Sequence, residues 1–394
     1  MIPFVFAPKT KMIFGVGKEK EIGEIISTYK KNKILIVYGK KSIIESGLLA
    51  RVEQSLKEKK IDYVLFGGAE PNPKLSHVEK GIEIVKKENI DFILAIGGGS
   101  AIDTAKLIAV SYDYEGCPFD FNDKKVIADH ALPIGVILTI AAAGSEGSTS
   151  CVITNDEKQQ KKGFNSEWNR PLFSIYNPEL TYTVSPYQTA CGIVDIMMHT
   201  LERYFNPSSE LELADEFALA LLKKVYQAGK TVMKEPQNFE ARSTLMIAST
   251  FSHNGLTGIG KKISMPVHQL EHALSGKYDF VAHGAGLSVL FPEWAMLYYK
   301  YDLPKFARLA KEVFEIQGKN ESEEAYLGIV AIQTFFHQIG MPITFQELGI
   351  HACNYEDLLN LMFDGRDTID SVGQRLDRKK AKEIFMLCAK EEVV

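Results

Sequence analysis

The sequence predicts an α/β domain with a parallel sheet followed by an all-helical domain. In the first half, short β-rich apolar runs alternate with segments of helical spacing, whereas beyond Pro186 long amphipathic stretches take over. A chain of 394 residues, 45% apolar, also has ample material for two cores. The expected boundary lies near residue 185, giving domains 1–185 and 186–394 that share one interface, with the cleft between them as the default ligand site.

The strand signals are Lys33–Tyr38 (KILIVY), Ile61–Phe66 (IDYVLF), Phe92–Ile96 (FILAI) and Ile134–Thr139 (IGVILT), each bounded by Gly, Pro or charged residues. Helical patterns around 43–59, 75–89 and 100–110 separate them. Parallel neighbours need such crossovers, and ligands of such sheets sit at the carboxyl ends of the strands. In the second half, helices are predicted at 187–205, 210–234, 239–256, 262–275, 284–299, 303–316, 321–338 and 378–391.

Composition narrows the function class. Forty-five Lys and Arg against 50 Asp and Glu leave a formal charge of −5, which carries neither a nucleic-acid footprint nor a polybasic membrane face. The longest apolar run, Leu132–Gly144, is 13 residues and falls short of the ~18 a membrane span requires. Five scattered cysteines without a C-x-x-C pair fit reduced thiols, and no secretory leader is recognisable, so a soluble, cytoplasmic protein acting on a small molecule is expected.

Three passages in the first half suit a phosphorylated ligand. GGGSAIDTAK (97–106) follows a strand directly. Gly97, Gly98 and Gly99 let the backbone approach a ligand, while Ser100 is placed to cap a helix whose free amides face an anion, and Asp103 to complete a capping box or touch the cofactor. The spacing is neither that of a P-loop nor G-x-G-x-x-G, and a plain strand-to-helix turn is the alternative. TIAAAGS, with Thr139 and Ser145, has the small residues that a pyrophosphate or a close-packed turn would need. Gly39, Lys40, Lys41 and Ser42 follow the first strand where an NAD-selective site usually places an acid; here a 2′-phosphate would be welcome, unless the two lysines are simply solvated.

The metal-binding signals lie in the second half. Asp195 and His199 are four apart (DIMMH), His268 and His272 repeat the spacing (HQLEH), and His283 follows a Gly-containing loop. Residues four apart share a helix face. Imidazoles with a carboxylate suit a cation of the iron or zinc type, whereas calcium and magnesium prefer oxygen.

GGGSAIDTAK, GSE at 144–146, GIVDIMMHTLERYF, HQLEHAL and AHGAGLSVLFP together resemble the iron-containing (group III) alcohol dehydrogenases over essentially the full length, and within them the butanol dehydrogenase-like, NADPH-dependent aldehyde reductases. The resemblance implies the dehydroquinate synthase-like fold, with a Rossmann-like dinucleotide-binding domain and a helical metal-binding domain, in a homodimer. It implies that Asp195, His199, His268 and His283 hold one divalent metal, Fe²⁺ or Zn²⁺, and that His272 stands near the nicotinamide and substrate, where it can relay a proton. NADP(H) is expected over NAD(H), because Gly39 stands where NAD-preferring relatives have Asp. A cofactor-contacting lysine falls on Lys161 or Lys162. The chain departs from the family pattern in its threonine-rich segment, where only Thr139 remains and Ile140 and Ala143 stand at positions that are often Thr. The rival readings are a polyol or polyol-phosphate dehydrogenase or a dehydroquinate synthase on the same fold, although Lys277 is the one basic residue between His268 and His283, and a non-catalytic nucleotide sensor with a structural metal.

Overall fold

A six-stranded, wholly parallel sheet organises the first part of the chain in the computed structural model, which describes residues 2–206 and 212–390. Its elements run β1 (Lys11–Phe14), α1 (Ile22–Thr28), β2 (Lys33–Tyr38), α2 (Ser42–Glu45), α3 (Leu48–Glu58), β3 (Asp62–Phe66), α4 (Leu75–Glu88), β4 (Phe92–Gly97), α5 (Gly99–Ser111), β5 (Ile134–Leu138), β6 (Ser150–Asn155), β7 (Gln160–Asn165) and β8 (Phe173–Tyr176). The sheet order is β1-β8-β5-β4-β2-β3, and β4 and β5 are buried throughout, as strands covered on both faces must be. Ile22, Val52 and Leu56 from the helices pack on Ile34, Ile36, Leu94 and Ile137 in one apolar cluster.

Strand order reverses beside β2, which has β3 on one flank and β4 on the other. The loops leaving β2 and β4 therefore diverge, opening the crevice at which such sheets bind ligands. A separate antiparallel hairpin, β6–β7, is fixed to the start of α4: Thr154 donates its N–H to the Pro73 carbonyl (2.8 Å) and Ser76 Oγ donates to Asp156 (2.6 Å).

The structure adds to the predicted elements and corrects some. β1 and β8 are four-residue strands, too short to show a period, and the hairpin carries Lys, Gln and Thr along its length. The pattern at 43–59 is two helices, because Gly47 adopts a left-handed backbone (φ 69°) that ends the first and starts the second. Ser100 does not cap α5; Gly98 is the N-cap, with no side-chain cap, and Ser100 lies inside the helix.

The second unit holds α6 (Pro186–Tyr204), α7 (Glu212–Lys234), α8 (Phe239–His253), α9 (Pro266–Lys277), α10 (His283–Tyr298), α11 (Leu303–Phe314), α12 (Glu321–Gln338), α13 (Tyr355–Phe363), the two-residue strands β9 (Thr368–Ile369) and β10 (Leu376–Asp377), and α14 (Arg378–Cys388). Residues 210, 211 and 391 of the predicted helices lie outside the described residues. Pro266 sets the start of α9, so 262–265 are not helical, and α13 with its nine residues escapes the periodicity reading. The contact pattern divides the chain into Ala7–Thr183 and the part from Val184 onward. The segment ending at Phe6 belongs with the helical unit, not the α/β one, because Ile2 donates its N–H to the Gly260 carbonyl (3.0 Å).

α6 is the central helix of this unit. The Ser185 hydroxyl caps it by accepting from the Gln188 N–H (3.2 Å), Pro186 opens it, and every residue from Ile193 to Tyr204 is buried. A helix buried all round places its few polar side chains among apolar neighbours, where each must find a partner.

Candidate active site

Asp195 and His199 project from one face of α6, His268 from the first turn of α9, and His283 from the first residue of α10. Asp195 Oδ1 is the common point: it lies 3.4 Å from His199 Nε2, 3.7 Å from His268 Nε2 and 3.7 Å from His283 Nε2. Asp195 Oδ1 and His268 Nε2 are buried and have no hydrogen-bond partner. Orphaned polar atoms in a core are costly, and a shared cation would satisfy both at once.

The opposite ring edges are held by groups that the spacing of the histidines does not reveal. His268 Nδ1 donates to Glu202, and His283 Nδ1 to Glu271; both carboxylates are buried. Glu202 also accepts the N–H groups of Val267 (2.6 Å) and His268 (3.1 Å), so one carboxylate caps α9 from α6 and orients the imidazole. Donation from Nδ1 leaves each Nε2 lone pair turned to the centre, which is the tautomer a metal ligand needs. Arg203 Nη1 reaches the His199 carbonyl (2.7 Å), and the His253 ring stacks on His199 with centroids 3.9 Å apart.

The electrostatics favour a positive charge at the centre. Burial, then the neighbouring imidazoles of His253 and His268, hold His199 well below the usual histidine range. Burial pulls His268 down as well, but the carboxylates of Glu202 and Asp195 outweigh it and raise it to about 9. Three buried carboxylates, Asp195, Glu202 and Glu271, outnumber the one guanidinium, Arg203, an excess that suits a bound cation. An N₃O donor set of this kind suits iron or zinc.

α10 reaches this point because its first turn reads His-Gly-Ala-Gly. A Cβ on Gly284 would meet the Cys191 carbonyl oxygen of α6 at 2.2 Å, and one on Gly286 would meet the Glu271 side chain of α9 at 2.9 Å. Close approach to both helices needs glycine at both positions. The cluster opens at one end: the side chains of Asp195, His199 and His268 are 6% exposed and that of His283 24%. His272 is half-buried on that side, its ring 5.6 Å from that of His283, and its ligand atoms group with those of Glu271 and His283.

In the α/β unit, the loops singled out by sequence leave the carboxyl ends of parallel strands. Gly39–Lys41 and Ser42 follow β2, Gly97 ends β4 and Gly98–Ser100 follow it, and Thr139 follows β5, its N–H bonded to the Gly97 carbonyl (3.1 Å). A Cβ on Gly98 would strike the Ile140 side chain at 2.1 Å, so Ile140 packs over the glycine turn.

Comparison with known proteins agrees with this architecture. The sequence profile described as iron-containing alcohol dehydrogenase matches residues 8–178, and that of the Fe-containing alcohol dehydrogenase family, C-terminal, matches residues 189–375. The chain belongs to the iron-containing alcohol dehydrogenase family. It is therefore an oxidoreductase of a family that uses a nicotinamide cofactor and a metal. It is 40% identical to NADH-dependent butanol dehydrogenase A of Clostridium acetobutylicum, over 92% of each chain. It is 31% identical to the NADPH-dependent aldehyde reductase YqhD of Escherichia coli, over 89% of this chain and 90% of that one. The crystal structure of NADH-dependent butanol dehydrogenase A from Thermotoga maritima superposes with a TM-score of 0.94 at 34% identity, covering 99% of both chains.

Two of the cofactor-site residues expected from sequence have other partners in this dehydrogenase. Ser145 is buried; its hydroxyl donates to Asp103 (2.5 Å), whose second oxygen accepts the Val152 N–H (2.9 Å). Both residues are thereby bonded within the loop. Lys106, fully buried, completes the network with bonds from Nζ to the Ser145 carbonyl (2.7 Å), Ser145 Oγ (2.8 Å), and the Ser148 (3.2 Å) and Ser150 (2.7 Å) carbonyls. Burial pushes the Asp103 carboxyl up and the Lys106 ammonium down from their ordinary values, and each pulls the other back. Lys161 and Lys162 alternate on β7. Lys162 pairs with Asp123 (2.8 Å), whereas Lys161 donates to Asn72 (3.0 Å) in the loop after β3, on the side of the strand ends.

The dehydrogenase's inner carboxylates have a measurable consequence. Glu202→Gln keeps the shape and an acceptor for the α9 amides but removes the charge that orients His268, and is expected to weaken metal binding about 10- to 100-fold. Competition with a chromogenic chelator measures this; unchanged affinity would deny Glu202 that role.

Proposed function

We propose that this dehydrogenase transfers hydride reversibly between NADP(H) and a primary alcohol or aldehyde of butanol size, using one divalent metal, Fe²⁺ or Zn²⁺, held by Asp195, His199, His268 and His283. The observation that carries the reading is the buried, partnerless Asp195 Oδ1 within 3.4–3.7 Å of three imidazole nitrogens. When bound, the cation supplies Lewis acidity to a carbonyl oxygen and the nicotinamide supplies the hydride.

The chain's own residues do the rest. Glu202 and Glu271 keep the His268 and His283 rings turned so that no side-chain motion is needed during reaction. His272, half-buried beside His283, exchanges a proton with solvent and delivers it to the nascent alkoxide. In the other unit, the amides of Gly98–Ser100 at the head of the 13-residue helix α5 receive the pyrophosphate, and Thr139 and Lys161 line the same strand ends.

The preference for NADP(H) rests on Gly39, which leaves the end of β2 without a carboxylate. Among relatives, the clostridial enzyme is named for NADH and the Escherichia coli reductase for NADPH. A homodimer accords with the exposed apolar side chains of Ile2, Phe4, Val5 and Phe6. A cytoplasmic setting accords with five free cysteines; among the described residues no helix is long and apolar enough to cross a membrane.

The test mixes purified protein with NADPH and butanal and follows the reduced-cofactor absorbance. Turnover is expected to vanish on chelation and to return with Fe²⁺ or Zn²⁺. Tight NADPH binding without consumption of any aldehyde would instead favour a nucleotide sensor.

A further inference from the structure

Lys40 is the cation best placed to welcome a 2′-phosphate, and its ammonium is already paired. Its Nζ lies 2.6 Å from Glu70 Oε1. Glu70 belongs to the loop after β3, and that loop is tied directly to the end of β2: Gly68 donates its N–H to the Gly39 carbonyl (2.8 Å), and Ala69 donates to the Tyr38 carbonyl (3.1 Å). β3 flanks β2 in the sheet, so both loops rise from the same edge of the strand-end crevice. The carboxylate that is missing at Gly39 thus comes from the neighbouring strand, three residues beyond Gly67.

We propose that Glu70 is the specificity-determining residue for the nucleotide: it accepts a hydrogen bond from the adenosine ribose hydroxyls, competes with phosphate for Lys40, and so lets NAD(H) bind alongside NADP(H). This rests on the nucleotide reading of these loops given above. The Lys40 and Glu70 side chains are 66% and 46% exposed, so their pairing is weak and a phosphate carrying about −1.5 to −2 charge can draw Lys40 away. The carboxylate left behind stays within a few ångströms of that phosphate and repels it. Glu70 therefore lowers 2′-phosphate affinity twice, by occupying the lysine and by its own charge, while a ribose hydroxyl meets an acceptor.

Calorimetric titration of the full chain with 2′,5′-ADP and with ADP tests this without turnover. Glu70→Gln is expected to tighten 2′,5′-ADP about five- to tenfold and to change ADP less than about twofold, with the gain shrinking in 0.5 M salt, roughly where screening reaches a few ångströms. In a Lys40→Gln background the gain from Glu70→Gln should shrink to the part that comes from the carboxylate's own repulsion. Gly39→Asp is the companion variant. A Cβ there meets only the Ala69 carbonyl oxygen, at 3.6 Å, so the side chain has room, and its carboxylate should weaken 2′,5′-ADP and favour ADP. If Gly39→Asp shifts the ratio but Glu70→Gln does not, the proposal for Glu70 is wrong and the loop assignment stands. If neither variant shifts it, or if the unmodified protein binds neither compound, the nucleotide reading of the loops fails and the proposal with it.

Discussion

His268→Ala is expected to leave the protein folded, strip it of metal and lower turnover at least a thousandfold, roughly the loss that removal of a charge-stabilising electrophile produces. The variant deletes one of three nitrogens around Asp195 Oδ1 and breaks the bond from Nδ1 to Glu202. Glu202 keeps the Val267 and residue-268 amides as partners, so α9 stays capped and the loss of stability should be about 1–3 kcal/mol. Elemental analysis beside the butanal assay separates the two effects. A variant that retains a full complement of metal would show that the ligand set is wrong.

Lys106→Met should have the largest effect on stability. The ammonium is fully buried and bonds the loop of residues 145–150 from the helix that follows the glycine turn. Without it, Asp103 keeps its bonds to Ser145 and Val152 but loses the stronger of its compensating charges, and the Ser145, Ser148 and Ser150 carbonyls lose that donor. Breaking a buried pair from one side costs about 3–5 kcal/mol, which for a unit of this size corresponds to a fall in Tm of roughly 10 °C. The double variant Lys106→Met/Asp103→Asn should recover part of that loss, since no unpaired carboxylate remains. A single variant melting within a degree of the unmodified protein would disprove the anchoring role. Because Lys106 lies on the helix that Gly98 opens, nucleotide affinity should fall with stability.

Both residues at the heart of these predictions differ in how visible they were in advance. His268 stands in HQLEH, where the four-residue spacing marks it. Glu202 and Glu271 carry a quieter mark: each lies three residues after a histidine of the cluster, on a largely buried helix, and a carboxylate on a buried face implies a partner. Lys106 is likewise the lone cation in the apolar run AIDTAKLIAVS. These signals say that a partner exists but not which one. Glu202 meets a residue 66 positions away, and Lys106 a loop 39 to 44 positions away. The strands β1 and β8 were hidden for another reason, since four residues of mixed character acquire strand geometry only from the neighbours that complete their hydrogen bonds.

Periodicity, glycine turns and caps depend on residues within a turn or two of one another, so the sequence alone determined the α/β-then-helical order, the glycine turn after the strand that begins at Phe92 and the residue types able to bind a cation. Whether those residues converge is decided by which faces of distant helices pack. Only the tertiary structure brought one carboxylate oxygen to three imidazoles, through the close approach of α10 to α6 and α9 that Gly284 and Gly286 permit. Only it turned Asp103 and Ser145 inward and paired Lys40 with Glu70, because a buried or paired charge is set by its surroundings in space and not by its neighbours along the chain.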